Sequence, residues 1–238
     1  MIGSQKKIST LFGPNVIINT KRTLKLKSIT LKINKDCINI TTPFFLTNKK
    51  IDDLLYKKLN WIKKQLLIQS NIKNLIKKEY MNGEEFRYLG QIYKLQINKG
   101  VKYSVRIEEN LLIVIVKNIN NSIKIKKLIN IWFREQSALY FEIKTSFYAN
   151  KNNLNITSIK VREYKARWGS CSTNGDISFN WRLIMAPPEI IEYVIIHELM
   201  HLKEHNHSPK YWKHVKAAYP NVDEAKKWLM YNGKTLNF

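Results

Sequence analysis

Over residues 22–42, RTLKLKSITLKINKDCINITT, apolar and polar side chains alternate, with Leu24, Leu26, Ile29, Leu31 and Ile33 followed by Ile38 and Ile40. A period of two is that of half-buried strands, whose successive side chains point to opposite faces. Asn34, Lys35 and Asp36 supply a hairpin turn between them, and Pro43 ends the run. From Lys49 to about Lys78 the spacing changes. Ile51, Leu54, Leu55, Leu59, Ile62, Leu66 and Leu67 recur at helical intervals and predict one long amphipathic helix with room for a single break. After the Asn82-Gly83 turn, FRYLG, QIYKLQI, KYSVRI and LLIVIV read as four short strands separated by Gly90, Gly100 and Glu109-Asn110.

The stretch KNINNSIKIKK, 117–127, reads as a polar loop and divides a β-rich subdomain, 1–118, from a second one, 119–238. Leu128, Ile131, Trp132, Leu139, Tyr140, Ile143 and Phe147 then mark a helix. A strand over Ile159–Tyr164, a turn at Thr173–Asp176 containing Asn174-Gly175, and a strand over Ile177–Leu183 follow. Pro187 and Pro188 suit the first turn of a helix, where a missing N–H costs nothing, and Glu189 favours the positive end of its dipole. This last helix is expected to run through EIIEYVIIHELMHLKE. The fold class is therefore α+β.

Composition adds limits. The chain has 238 residues, 44% of them hydrophobic, enough for a core without staples. Cys37 and Cys171 stand far apart with no CxxC spacing, so neither a disulfide framework nor a cysteine zinc site is implied, and a reducing cytoplasm fits. The first twenty residues lack the apolar run of a signal peptide, and no segment approaches the roughly 20 apolar residues of a membrane span. A soluble cytoplasmic protein is expected. The net charge of +23 admits two readings: a basic surface for nucleotide or nucleic acid, or the drift of an AT-rich coding sequence, since Lys, Ile and Asn are abundant throughout.

The candidate chemistry lies in the last helix. His197 and His201 are four residues apart, about 40° around a helix axis and about 6 Å along it, so their imidazoles face one direction and can share a metal ion. Glu198 between them completes HExxH, in which the glutamate takes a proton from a water on the metal and returns it to the leaving group. Zinc with an open position for water needs a third protein ligand. His207 is the best candidate, because Ser208-Pro209 reads as the cap and first residue of another helix and leaves His207 in the turn between two helices. His205 and Glu224 are the alternatives. His205 would lie about 12 Å along a continuous helix from His197. The spacing HExxHxxxxxH matches three-histidine zinc peptidases, except that their usual turn glycine is Glu204. All five histidines fall between 197 and 214, and His214 reads as a surface residue.

From Ile159 to Trp212 the sequence resembles the YgjP-like family of predicted metallopeptidases, kin to the SprT-like proteases. The matching segments are REYKARWGSCS (Arg162–Ser172), ISFNWRLIMAPPEIIEYVIIHELMHL (Ile177–Leu202) and NHSPKYW (Asn206–Trp212), with LNWIKKQL and GEEFRYLGQIYKLQI in the first half. The resemblance implies a zincin-like catalytic domain of a helix, a small mixed sheet and the HExxH helix, and it favours His207 as third ligand. Read from the residues, RWGSC and ISFNWRL form the walls of a substrate cleft, so Arg167, Trp168, Gly169, Ser170, Asn180 and Arg182 are candidate substrate-binding residues. An edge strand there can pair with an extended peptide. Trp168, Trp181 and Trp212 read first as core packing, Cys171 as a small buried residue, and Arg167 and Arg182 as oxyanion stabilisers or structural pairs.

Three functions compete. One is zinc-dependent hydrolysis of a peptide or protein. A second is hydrolysis of a nucleotide phosphoanhydride, motivated by Arg162, Lys165 and Arg167. The third is a DNA-associated protease or nucleic-acid-binding protein, which predicts binding that falls steeply with salt.

Overall fold

A computed structural model describes residues 11–13, 16–24, 28–34, 37–73 and 78–236. The chain forms two compact units, Met1–Ile76 and Lys77–Phe238. The second therefore begins about forty residues before the polar stretch that suggested a boundary, because the strands on one side of that stretch and the helix on the other share one core.

In the first unit, β1 (Ile17–Thr23), β2 (Thr30–Asn34) and β3 (Cys37–Pro43) form a sheet in the order β1-β3-β2, with β1 parallel and β2 antiparallel to β3. The predicted alternation is realised in β2 and β3, with Ile38 and Ile40 buried beside Ile51, Leu55 and Ile62, whereas Leu24 is an exposed turn residue, Leu26 lies outside the described residues, and β1 falls mostly ahead of the predicted run. Lys35 and Asp36 of the expected hairpin turn lie outside the described residues. The predicted long helix is two, α1 (Asn48–Lys57) and α2 (Leu59–Lys73), interrupted at Lys58; residues 74–77 lie outside the described ones.

The second unit opens with β4 (Glu85–Tyr88), β5 (Gln91–Lys99), β6 (Ser104–Glu108) and β7 (Leu111–Val116), a sheet in the order β4-β5-β7-β6 in which β5 and β7 are parallel. α3 (Ser122–Lys151) starts six residues before the apolar run at Leu128. The Asn121 side chain accepts from the Lys124 N–H at 2.9 Å, and Ile125 is fully buried, so the lysine-rich stretch taken for a loop forms the first turns of this helix.

The second sheet, β8 (Ser158–Arg162), β9 (Gly169–Cys171) and β10 (Asp176–Asn180), has the order β8-β10-β9 with β8 parallel and β9 antiparallel to β10. α3 contacts β6, β7 and β8, and Phe141 on it stacks on Phe179 of β10 at 4.6 Å. The strand expected over Ile177–Leu183 stops at Asn180, whose side chain accepts from the Arg182 N–H and starts a 3-10 turn, Trp181–Met185. β10 is thus the central strand, and the edge belongs to β9. Three helices complete the unit: α4 (Pro188–Met200), α5 (Pro209–Ala218) and α6 (Val222–Asn232). α4 buries residues on all sides, Ile190, Ile191, Val194, Ile195, Ile196 and Leu199 among them, as expected of a helix with no polar face. Among the described residues the architecture is mixed α+β with six helices and small mixed sheets, and no helix is long and apolar enough to cross a membrane.

Candidate active site

α4 begins where the sequence predicts, with Pro188 at its first position, but ends at Met200 instead of running to Glu204. Its last four carbonyls show why. His201 N–H donates to the Glu198 carbonyl at 3.2 Å, Leu202 to Leu199 at 3.0 Å, and Lys203 and Glu204 to Met200 at 3.1 Å. The shift to shorter-range bonds releases the His197 carbonyl, which takes the Tyr211 hydroxyl at 2.8 Å. Every orphan carbonyl of the helix end thereby has a partner. His201 keeps right-handed helical dihedrals, so the four-residue spacing from His197 survives.

The turn carries the chain to Ser208, whose hydroxyl accepts from the Tyr211 N–H at 3.2 Å and caps α5, with Pro209 first in the helix. His207, just ahead of the cap, swings back toward α4. Ring nitrogens of His197, His201 and His207 all lie within 4.8 Å of one another, and the Nε2 atoms of His197 and His207 are 3.3 Å apart. His205 is exposed and Glu224 stands exposed on α6; neither joins the three. His214 is partly exposed on α5.

The rings are held by two aromatic neighbours, Tyr211, which the sequence reading did not single out, and Trp212, which it read as core packing. Tyr211 stacks on His201 at 4.5 Å, and Trp212 lies nearly parallel to His207 at 5.7 Å. Their signal was the capped helix itself, which puts both within its first turn beyond Pro209. The His201 Nδ1 faces the Glu204 carbonyl at 3.3 Å, so a proton on Nδ1 is satisfied there and Nε2 keeps its lone pair. Burial lowers the His197 pKa to about 3, with further depression from His201, His207 and Lys226. His201 is also lowered, by burial first and then by His207 and His205, against the opposing pull of the Glu204 carbonyl. Both imidazoles are neutral near pH 7, the form that ligates a metal.

Glu198 is buried at 6% exposure, and burial raises its carboxyl to about 8, partly offset by the Arg167 guanidinium. It lies against β9. A Cβ built on Gly169 would sit 2.6 Å from Glu198 Cγ and Oε1, so the strand backbone approaches the carboxyl as closely as a glycine permits. β9 pairs with β10 along one side only among the described strands, and Glu198 lies on the face toward which a Gly169 side chain would point.

The remaining candidates divide by their partners. Asn180 is 4% exposed. Its amide donates to the carbonyls of Tyr164 at 3.0 Å and Arg167 at 3.4 Å, and its backbone N–H to that of Trp168 at 2.8 Å. It staples the segment 164–168 in place. Arg182 lies over Trp181 at 4.5 Å and pairs with Glu163 at 2.8 Å, and Arg134 on α3 holds the other oxygen of Glu163; this brace lowers the Glu163 pKa. Ser170 shares a hydrogen bond with the Tyr164 hydroxyl at 3.0 Å. Trp181 is buried, as its core reading expects, whereas Trp168 and Trp212 are partly exposed. Burial pushes the Cys171 thiol up to about 11, with Glu198 and Asp176 adding to it, so it stays protonated. Arg162, on β8, is exposed.

The donor set can be tested against a divalent ion. Ring nitrogens of His197 and His207 turned toward each other at 3.3 Å are an arrangement that a cation held between them makes favourable. Three nitrogen donors in reach of one point fit a divalent metal with a coordination position to spare.

No curated protein sequence matches the chain. Among solved structures, the metallopeptidase zymogen of Pyrococcus abyssi abylysin aligns at 23% identity and a TM-score of 0.35, covering 37% of this chain and 90% of its own. That of Methanocaldococcus jannaschii jannalysin aligns at 21% identity and a TM-score of 0.35, covering 38% and 93%. The YgjP-like, metallopeptidase domain family matches residues 27–232. That match runs from ahead of β2 to the last residue of α6, and on this extent the chain belongs to the YgjP-like family of metallopeptidase domains.

Proposed function

We propose that the protein is a zinc-dependent peptidase with a zincin-like catalytic unit, in which His197, His201 and His207 hold the ion and Glu198 is the general base. The observation that carries this reading is the convergence of three imidazole nitrogens within 4.8 Å at the end of the helix that carries a buried glutamate, two from that helix end and one from the turn after it. The 3.3 Å between His197 and His207 Nε2 suits a small tetrahedral divalent ion, whose ligands about 2.0–2.1 Å away stand about 3.3 Å apart, and an all-imidazole donor set with an open position is one that zinc takes. When bound, the ion supplies Lewis acidity, polarising a carbonyl and making a water acidic enough to lose its proton near neutral pH. Glu198 takes that proton and returns it to the departing amine. Its raised pKa without the ion suits both tasks, because a nearby cation draws the carboxyl back down toward the working pH. The open edge of β9 pairs with an extended peptide and lays the scissile bond across the site.

The test is a comparison of wild type and Glu198→Gln for zinc content and for cleavage of labelled casein, with a nucleoside triphosphate assayed in parallel. Wild type is expected to carry about one zinc per chain and to lose cleavage to a chelator. The variant keeps the zinc and loses cleavage. Cleavage retained by the variant would remove Glu198 as base. Glu198-dependent phosphate release without casein cleavage would move the reaction to a phosphoanhydride.

A further inference from the structure

A cavity of about 710 Å³ in the second unit lies away from the histidines. It lies between the segment 163–168 and the C-terminal elements, and none of the three histidines lines it. Its polar lining is rich in cations: Lys165, Arg167 and Lys234 are all exposed there, and none forms a direct ion pair among the described residues, although the Arg167 charge is felt at Glu198. Arg167 is held over the Tyr164 ring at 5.1 Å, and Tyr164 is fixed in turn through Ser170, so the guanidinium is oriented before a ligand arrives. The one carboxylate in the lining, Glu163, is taken up by Arg182 and Arg134. Trp168, Leu229 and Leu236 supply an apolar wall. A Cβ on Gly233 would sit 3.1 Å from the Trp168 indole, so the glycine sets how closely α6 and its 3-10 extension approach that wall.

Position connects this cavity to the chemistry. Trp168 lines it, and the next residue, Gly169, is the one whose backbone touches Glu198; successive Cα atoms stand about 3.8 Å apart. A chain paired along β9 and continued past Gly169 therefore runs into the cavity. We propose that the cavity is an anion-accepting substrate subsite, in which Lys165, Arg167 and Lys234 take a peptide carboxylate, C-terminal or acidic side chain, while Trp168 and Leu229 pack the residue that bears it. A carboxylate fits better than a polyphosphate, because the lining mixes four cations, Arg182 among them already paired with Glu163, with apolar walls, and a planar carboxylate takes two parallel bonds from a guanidinium. This inference names the substrate of the peptidase proposed above and rests on that reading.

The test measures binding separately from turnover. Four dansyl-labelled peptides of one sequence, with free-acid or amidated C-terminus and with Glu or Gln at the penultimate position, are titrated by anisotropy into zinc-loaded Glu198→Gln protein. The same titrations are made with Lys165→Gln/Lys234→Gln added. A carboxylate form is expected to bind about tenfold more tightly than its neutral counterpart, as one charge-assisted contact gives, and the preference falls toward unity in the lysine variant. Dependence on the C-terminus or on the side chain assigns the source; either supports the subsite. Equal binding of charged and neutral forms, or a preference undiminished by loss of both lysines, overturns it. So does lysine-dependent binding of a nucleoside triphosphate without discrimination among the peptides. Failure of the peptidase reading shows separately, as wild-type protein that carries no zinc or cleaves none of the four peptides.

Discussion

Gly169→Ala tests whether contact between β9 and Glu198 sets the catalytic geometry. The added methyl carbon would lie 2.6 Å from Glu198 Cγ and Oε1 and 2.8 Å from Cδ, against about 3.5–4.0 Å for relaxed contact, so something must move by about 1 Å. Gly169 lies in a strand and its φ is not in the left-handed region, so alanine carries no conformational penalty and the clash stands alone. Glu198, at 6% exposure, has little room to retreat. Overpacking of this kind costs about 1–3 kcal/mol, and a 1 Å displacement of a catalytic group costs about a hundredfold in rate. The expected result is a fall of about hundredfold in kcat/KM on a peptide substrate, a lowered urea midpoint, and unchanged zinc affinity, because no ligand nitrogen is touched. Ser170→Ala, which removes only the hydrogen bond to Tyr164, is the neighbouring control, with a cost of about 1 kcal/mol. Full activity and an unshifted midpoint in Gly169→Ala would refute the reasoning, since the strand could then move away from Glu198 at no cost.

Removing single histidines separates ligand from bystander: His207→Ala is expected to weaken zinc binding by at least about a hundredfold in competition with a chromophoric chelator, and His205→Ala to leave it unchanged. Equal losses would return His205 to the site. Tyr211→Phe keeps the ring on His201 but strands the His197 carbonyl, so we expect about 1–3 kcal/mol lost in stability and about tenfold in zinc affinity; no change in either would mean that another group caps the helix end. For metal-free protein, Glu198→Gln should be stabilising, with a gap that depends on pH. The folded carboxyl, raised from 4.5 to about 8, favours the protonated form, so wild type loses stability relative to the variant as pH rises from about 4.5 and the gap is complete near pH 8. Urea titrations at pH 5, 6.5 and 8 that gave one constant gap would contradict this sign.

The sequence by itself determined the elements whose signal is local. Alternation located β2 through β7, and the prolines placed the start of α4, because period and backbone restriction act within a few residues. The convergence of His197, His201 and His207 was legible for the same reason, since one pair needs only helical spacing and the third needs only a Ser-Pro cap to end the turn. Tertiary packing decided the rest. The lysine-rich stretch before Leu128 became helix because Ile125 found a core to enter, a gain that no local pattern records. α4 stopped at Met200 because Tyr211, from another helix, took the carbonyl that continuation would have used. Asn180 and Arg182, read as substrate residues from their place beside the motif, line the cavity next to Trp168 while bonding to the chain's own carbonyls and to Glu163. The contact between Gly169 and Glu198, and the cavity that begins one residue away, join segments about thirty to seventy residues apart. Their proximity follows from sheet order and helix packing, which a linear pattern of side chains does not encode.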